Sequence, residues 1–452
     1  MHKDGQTYKN LYFLGIGGIG MSALAQYYAA KGLQVAGYDR FESDTTDLLK
    51  SKGIPVTFTD SEDALPGSWL IDETAVIYTP AVPKDLKRLA QFRSLGLPIF
   101  KRSEVLGWLS KEIPTVAIAG THGKTTTTSI TAHIFKSAGY RVLAFIGGIS
   151  ANYGSNIIMD DNPEVLIVEA DEFDRSFLHL SPKWAVITSV DPDHLDIYSN
   201  SDAFYDAFHQ FANSVSDELL LHQQVGEELK KKDAKHYPSD VYAIQSRAIV
   251  EGKVEVKLKI QNNQIQFTWL MPGKYNTENA LAACSMAVMY GITNQKISTA
   301  METYAGVKRR FEAIYQGVNG VLIDDYAHHP NELAALGSAL KELYPGKKIT
   351  LVFQPHLYSR TRDFLNEFAE QLSAFTKVLL LPIYPAREEP IPGVCSEALL
   401  EKINCEDKAC IAPFDLLHYA AKFDGDVLVL AGAGDISKMV DPVKKIMEGT
   451  QE

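Results

Sequence analysis

The chain reads as an α/β protein of three domains, each expected to be built on a parallel sheet. Three observations carry that expectation. Short apolar, β-branched runs alternate with helix-compatible segments along most of the 452 residues, the pattern of strands joined by helical crossovers. Glycine-rich or acidic turns follow those runs directly, where open α/β sheets place ligand sites. The length exceeds that of one ordinary domain. Expected boundaries give domains at residues 1–112, 113–313 and 314–452. The first and third read as Rossmann-like, and the middle one as a phosphate-loop ATPase type.

In the first domain, Leu11-Tyr12-Phe13-Leu14 reads as a buried strand running into Gly15-Ile16-Gly17-Gly18-Ile19-Gly20. Residues 21–30 then read as helix, closed by Gly32, and residues 34–38 as a second strand ending at Asp39. Gly15, Gly17, Gly18 and Gly20 let backbone approach a diphosphate at a helix N-terminus, and Asp39 has the spacing that meets a ribose hydroxyl. Any diphosphate suits that turn, NAD and a UDP-sugar alike. Further strands are expected at residues 75–78, followed by Thr79-Pro80-Ala81, and at 97–100.

The middle domain opens on an apolar run, residues 116–119, that breaks into Gly120-Thr121-His122-Gly123-Lys124-Thr125-Thr126 before a helical segment. A strand, a glycine turn and a helix N-terminus together hold phosphate through backbone N–H groups. The lysine reaches the outer phosphates and the hydroxyl of Thr125 takes the Mg²⁺ position. Ile118 replaces the usual first glycine, and the plainer alternative is a turn with a solvated lysine. Two further strands are expected to end in Glu169-Ala170-Asp171-Glu172 and in Asp191-Pro192-Asp193-His194. Three strand ends thus deliver Lys124 with Thr125, Glu172 and His194 to one sheet edge, a donor set suited to Mg²⁺ between phosphate oxygens. Residues 254–260 and 265–267 alternate as a structural hairpin. Asn276 and Asn279 open a small-residue helix, either as caps or as readers of an adenine edge.

The third domain repeats the alternation. Residues 318–323 lead into Asp324-Asp325-Tyr326-Ala327-His328-His329-Pro330, and 348–353 into Gln354-Pro355-His356-Leu357-Tyr358-Ser359-Arg360. Residues 377–383 lead into Tyr384-Pro385-Ala386-Arg387, and 426–430 into Ala431-Gly432-Ala433-Gly434. The paired Asp and paired His read as substrate and nucleotide contacts, since Pro330 and a missing third ligand weaken a metal site.

Composition excludes several classes. Lys+Arg 44 against Asp+Glu 56 gives a net charge of −12, which argues against nucleic-acid partners. Cys284, Cys395, Cys405 and Cys410 lack zinc-site clustering and read as reduced thiols of a cytoplasmic protein. No signal-peptide pattern precedes Leu11 and no apolar run is long enough to span a bilayer, so no membrane partner is expected.

Taken whole, the chain resembles the Mur ligases, the ATP-dependent amide-forming family of peptidoglycan precursor synthesis. The Gly-Thr-His-Gly-Lys-Thr-Thr loop is that family's form of the phosphate loop. The glycine turn at 15–20, Glu169 to Leu178, Asp324 to Pro330 and Phe353-Gln354-Pro355-His356 are similar to the member that adds the first amino acid. The resemblance implies ATP and Mg²⁺ as cofactors and UDP-N-acetylmuramate and L-alanine as substrates, handled by a monomer or homodimer through an acyl phosphate. It places Gly15, Gly17, Gly18, Gly20, Asp39 and Thr79 on the UDP-sugar. Gly120, Thr121, His122, Gly123, Lys124, Thr125 and Thr126 would hold ATP phosphates, with Asn279 at the adenine and Asp325 near the nucleotide. Thr125, Glu172 and His194 would hold the metal. Lys124, Glu172, His194, Arg310 and His328 would act in catalysis, Arg310 reaching the phosphates. Tyr326, His356 and Arg360 would frame the amino acid. Tyr275 stands where many relatives carry His, and Leu357 where some carry Arg, leaving the amino-acid carboxylate to Arg360 or Arg362. With no Lys between Asp196 and Asn213, no carbamylated lysine is expected. The nearest alternative is the recycling relative that attaches a tripeptide to the same UDP-sugar. Three others are a folylpolyglutamate synthetase-like enzyme, which lacks the leading domain, an NAD-dependent dehydrogenase built on residues 15–39, and a non-catalytic nucleotide-binding module, against which Glu172 with His194 argues.

Overall fold

The structure, a computed structural model, describes the chain apart from residues 4, 5, 62–64, 84, 192–197, 199, 387 and 450–452 and the side chain of His2. It divides into two compact units, residues 1–246, 257–267 and 278–305, and residues 247–256, 268–277 and 306–452. Among the described residues no helix is long and apolar enough to cross a membrane.

The first unit holds two large sheets. One has five parallel strands in the order Val56–Thr57, Gln34–Tyr38, Asn10–Leu14, Thr74–Tyr78 and Ile99–Lys101. Its central strand, Asn10–Leu14, is buried at every residue, as the apolar run from Leu11 to Leu14 in a parallel sheet requires, and Asn10 donates to Thr74 Oγ1 at 3.2 Å. Gly15 takes φ +80 and starts the turn into the helix Ile19–Ala30. The other sheet has seven strands, in the order Ser155–Met159, Val142–Ser150, Val165–Ala170, Thr115–Ala119, Trp184–Ile187, Glu218–His222 and Lys235–Tyr237. All are parallel except Ser155–Met159, which runs antiparallel to Val142–Ser150.

In sequence, Gly147 and Gly148 with Tyr153 to Asn156 read as a glycine-rich loop; Tyr153 and Gly154 do lie in the turn, and Gly147, Gly148, Ser155 and Asn156 lie in the two strands. The strand continues through both glycines to Ser150 and folds back on itself. Side-chain anchoring explains the override of glycine's poor strand propensity. Asn156 donates to Ile19 O at 2.6 Å and to Ser22 Oγ at 2.9 Å, and its Oδ1 accepts from Gln26 at 3.2 Å. Tyr27 meets Phe145 edge-on at 6.2 Å. Through these contacts the helix Ile19–Ala30 joins both sheets in one apolar core.

The expected hairpin gains a strand, forming a sheet of Tyr242–Val250, Lys253–Ile260 and Asn263–Trp269. Val254, Val256, Leu258 and Ile260 are buried on one face, as the alternation predicts. The second unit carries six strands in the order Glu312–Gly317, Gly320–Asp325, Val427–Ala431, Ile349–Phe353, Lys377–Leu380 and Asp407–Cys410. The first pair is antiparallel. Val318, expected inside a strand, lies in the turn between that pair and is 99% exposed, because Gly320, at φ +101, begins the strand two residues later.

Candidate active site

In the seven-stranded sheet, Thr115–Ala119 lies between Val165–Ala170 and Trp184–Ile187, all parallel. The three carboxyl ends therefore open at one edge, where helix N-termini and strand ends converge. After Thr115–Ala119 the chain turns at Gly120, φ +132, and Gly123, φ +79, and enters the helix Lys124–Ser137. Ser189 shapes the turn from the next strand end: its Oγ accepts from His122 N at 2.7 Å and lies 2.9 Å from Thr121 Oγ1. Thr125 and Thr126 are buried at the helix start.

Lys124 Nζ donates to both carboxylate oxygens of Glu172, at 2.8 and 2.6 Å, and to Gly120 O. Burial works against its charge, but Glu172, Asp171 and Glu169 outweigh that and hold its pKa above the ordinary lysine value. Burial likewise pushes the Glu172 and Glu169 carboxyls upward. Thr125 Oγ1 donates to Glu169 Oε1 at 3.1 Å, and Gly147 N donates to Glu169 Oε2 at 2.9 Å. A hydroxyl and two carboxylates thus gather at the mouth of the loop, Glu172 on the ammonium group and Glu169 on the hydroxyl, an oxygen-only donor set of the kind a hard divalent cation takes. His194 lies outside the described residues. Among the described residues no three His, Cys, Asp or Glu side chains are arranged as a metal site.

Glu172 is presented by a strained turn. Asp174 and Arg175 take φ +52 and +54 in succession, a left-handed conformation costing roughly 1–2 kcal/mol per non-glycine residue. Lys101 holds Asp174 at 2.9 Å, Tyr198 OH donates to Glu172 O, and Phe177 stacks on Phe211 at 5.0 Å beneath. Asn279 packs against the phosphate loop, its Oδ1 accepting from Thr127 Oγ1 at 3.2 Å.

At the first sheet, Gly17 N donates to Asp39 Oδ2 at 2.7 Å, and Arg40 N donates to Asp39 Oδ1 at 2.7 Å. Asp39 thereby fastens the glycine turn to the end of the neighbouring strand. Thr79 packs its methyl against Gly15, where a Cβ would come within 2.7 Å.

The second unit brings another set together at the carboxyl ends of its parallel strands. Asp325 is buried and accepts from Phe311 N and Ala327 N, both at 2.7 Å. The ring of Tyr326 lies 5.1 Å from the guanidinium groups of both Arg309 and Arg310. Arg310 also stands 3.5 Å from Glu332. The His328 ring meets Tyr326 at 5.1 Å and His356 at 5.8 Å, and His356 Nδ1 lies 3.5 Å from Arg360 Nη1. His328 Nδ1 donates to Tyr326 O at 2.8 Å, which leaves Nε2 as the basic nitrogen. Burial, aided by Arg360 and Arg310, holds the His328 pKa below the ordinary histidine value despite Glu332.

Family models match along the chain: the Mur ligase family, catalytic domain at residues 10–113, the Mur ligase middle domain at 118–287, and the Mur ligase, glutamate ligase domain at 309–434. A protein of Christiangramia forsetii named UDP-N-acetylmuramate–L-alanine ligase is 44% identical, over 98% of this chain and 99% of that protein. The chain belongs to the Mur ligase family. Among solved structures, the UDP-N-acetylmuramate–alanine ligase of Thermotoga maritima superposes with a TM-score of 0.83 at 25% identity, over 98% of this chain and 100% of that one. A murein peptide ligase of Psychrobacter arcticus shares the fold, with a TM-score of 0.72 at 20% identity over 98% and 100% of the chains.

For this Mur ligase, the expected residues Lys124, Thr125, Glu172 and Asn279 meet within the first unit, and Arg310, Asp325, Tyr326, His328, His356 and Arg360 form one group in the second. Glu169, Ser189, Glu332 and Tyr384 were not expected; Tyr384 stacks on His356 at 5.7 Å. Glu169 carried a readable signal, since it lies one position from the strand end beside the phosphate-loop strand. Gly120 tests the loop. A Cβ there would overlap Thr188 Oγ1 and come within 2.8 Å of Ser189 N. Gly120→Ala is expected to cost about 1–3 kcal/mol of stability and to weaken nucleotide binding roughly tenfold, read by denaturant unfolding and calorimetry.

Proposed function

We propose that the chain is an ATP-dependent ligase joining L-alanine to the lactyl carboxylate of UDP-N-acetylmuramate, a cytoplasmic step of peptidoglycan precursor synthesis. The observation that carries this reading is Lys124, held at a phosphate loop between Gly120 O and both oxygens of the Glu172 carboxylate. The names of the relatives, across nearly the whole chain, point the same way.

A carboxylate and an amine do not condense in water, so a carboxylate oxygen must become a leaving group. In the proposed reaction that oxygen attacks the γ-phosphorus of ATP, the bond to ADP breaks, and an acyl phosphate forms. The alanine amine then attacks the acyl carbon, phosphate departs with the carbon–oxygen bond, and the amine sheds a proton. Lys124 and Arg310 offset charge on the transferring phosphoryl. Thr125, Glu169 and Glu172 offer oxygen donors that fit Mg²⁺ and would hold it, with His194 assigned to the same set; the ion would supply charge neutralisation to the phosphoryl group. His328, neutral at pH 7 through its lowered pKa, is suited to accept the amine proton at Nε2. Asn279 is assigned to the adenine and Asp325 to the nucleotide side. Gly15, Gly17, Gly18, Gly20, Asp39 and Thr79 are assigned to the UDP-sugar, and Tyr326, His356 and Arg360 to the amino acid.

The test is phosphate release from ATP with Mg²⁺ and UDP-N-acetylmuramate, adding L-alanine, glycine, L-serine or a tripeptide separately. Release that requires both the sugar nucleotide and L-alanine supports the reading. Release with tripeptide alone would move the assignment to the recycling activity. Arg360→Ala is expected to raise KM for L-alanine roughly tenfold to hundredfold, the loss of one charge-assisted hydrogen bond, while KM for ATP holds. A shift confined to KM for ATP would remove Arg360 from the amino-acid site.

A further inference from the structure

A cavity of about 110 Å³ in the first unit lies between the glycine turn of the first sheet and the carboxylates at the phosphate loop. Gly20, Arg102, Phe145, Gly147, Glu169 and Asp171 are among its lining residues. Neither the glycine fingerprint nor the strand-end acids drew attention to Arg102. It begins the helix Arg102–Glu112, the last helix before the phosphate-loop strand.

Its electrostatic surroundings are unusual. The guanidinium lies against Gly20, where any Cβ would overlap Nη1, so a cation faces the first turn of the helix Ile19–Ala30. A helix N-terminus carries partial positive charge and disfavours a neighbouring cation. No acidic residue in that first turn offsets it. The compensating group is Asp171, at 3.5 Å, and the two side chains are 22% and 39% exposed. That pair is long and part-solvated, the kind worth little. The adjacent pair, Lys101 with Asp174, is closed at 2.9 Å.

We propose that Arg102 is a binding residue for an anionic oxygen of the sugar nucleotide, and that Asp171 is a placeholder which the substrate displaces. This rests on the UDP-N-acetylmuramate reading above. An anion entering the cavity would meet the guanidinium and the helix N-terminus together, replacing one weak contact with a charge-assisted pair. Two groups of the substrate share that chemistry, the diphosphate and the lactyl carboxylate. Displacement also reaches catalysis, because Asp171 is next to Glu172 in the same strained turn, and its Oδ1 accepts from Phe173 N at 3.2 Å.

Opposite signs test the idea. By titration calorimetry with UDP-N-acetylmuramate, Arg102→Gln is expected to weaken binding roughly tenfold or more, with ATP binding unchanged and Arg102→Lys recovering part of the loss. Asp171→Asn keeps the acceptor for Phe173 N and removes the competing charge, so it should bind the sugar nucleotide as tightly as wild type or more tightly. Equal weakening in both variants would make the pair structural and overturn the proposal. UDP-N-acetylglucosamine, which lacks the lactyl group, separates the two anions. An Arg102→Gln loss shared by both ligands places the diphosphate on Arg102, and a loss confined to UDP-N-acetylmuramate places the carboxylate there. A wild-type chain that binds UDP-N-acetylmuramate while Arg102→Gln binds equally well overturns this proposal alone. A wild-type chain that does not bind it overturns the functional reading and this proposal together.

Discussion

Lys124→Ala is expected to reduce ATP-dependent turnover by roughly 10³-fold and, separately, to destabilise the first unit by about 3–5 kcal/mol. The two losses have different origins. Turnover falls because the ammonium that would neutralise phosphoryl oxygens is gone. Stability falls because Glu172, 2% exposed, keeps its carboxylate in a site where the Lys124 side chain is itself only 13% exposed. A buried charge deprived of its partner costs far more than the pair contributed. The double variant Lys124→Met with Glu172→Gln should therefore recover most of the stability and none of the activity. Phosphate release and denaturant unfolding on the same preparations separate the two effects. Lys124→Ala with wild-type stability would show that Glu172 finds another partner, or protonates at little cost, and the burial argument would fail.

This pair shows how far sequence reasoning reached. That Lys124 and Glu172 share a sheet edge followed from strand ends in adjacent parallel strands, and the register Glu169 to Ile118 and Ala170 to Ala119 places them there. Which acid faces the lysine did not follow. Glu169 lies within the strand, whereas Asp171 and Glu172 follow it and lead into a turn with two left-handed residues, Asp174 and Arg175, neither of them glycine, so no turn signal announced it. Glu169 thus became a partner of Thr125, and Glu172 of Lys124. Gly147 and Gly148 misled for the converse reason: two glycines read as a loop, yet they lie inside the strand Val142–Ser150, at the irregularity in its pairing with Ser155–Met159. In the second unit the motif residues were all visible. Their order in space, Arg310 to Tyr326 to His328 to His356 to Arg360, comes from ring and guanidinium packing that spacing along the chain does not encode.

The second large effect concerns pH. Burial raises Asp324 to about 7 and Asp325 to about 6. A carboxyl whose folded pKa lies above its unfolded value, about 3.9, binds protons more tightly when folded. Its stabilisation is full below the unfolded pKa and is lost as pH rises through the folded one. The second unit is therefore expected to lose on the order of 3–4 kcal/mol between pH 4 and pH 7 from Asp324 alone. Asp324→Asn should flatten that slope, since an amide mimics the protonated acid, and the variant should exceed wild type in stability at pH 8. Denaturant unfolding at pH 5, 6.5 and 8 checks this; an unchanged slope would remove Asp324 as its source. Asp325→Asn should behave differently. Both Asp325 oxygens hold backbone N–H groups, and one of them, Phe311 N, closes the turn in which Arg309 and Phe311 take φ +62 and +48. An amide keeps only one acceptor, so the turn that aims Arg310 and stacks Tyr326 loses half its support. Turnover is expected to fall while high-pH stability changes little. A buried carboxylate kept ionised against its own burial is costly to the fold, and the return is a fixed orientation for the arginine beside it.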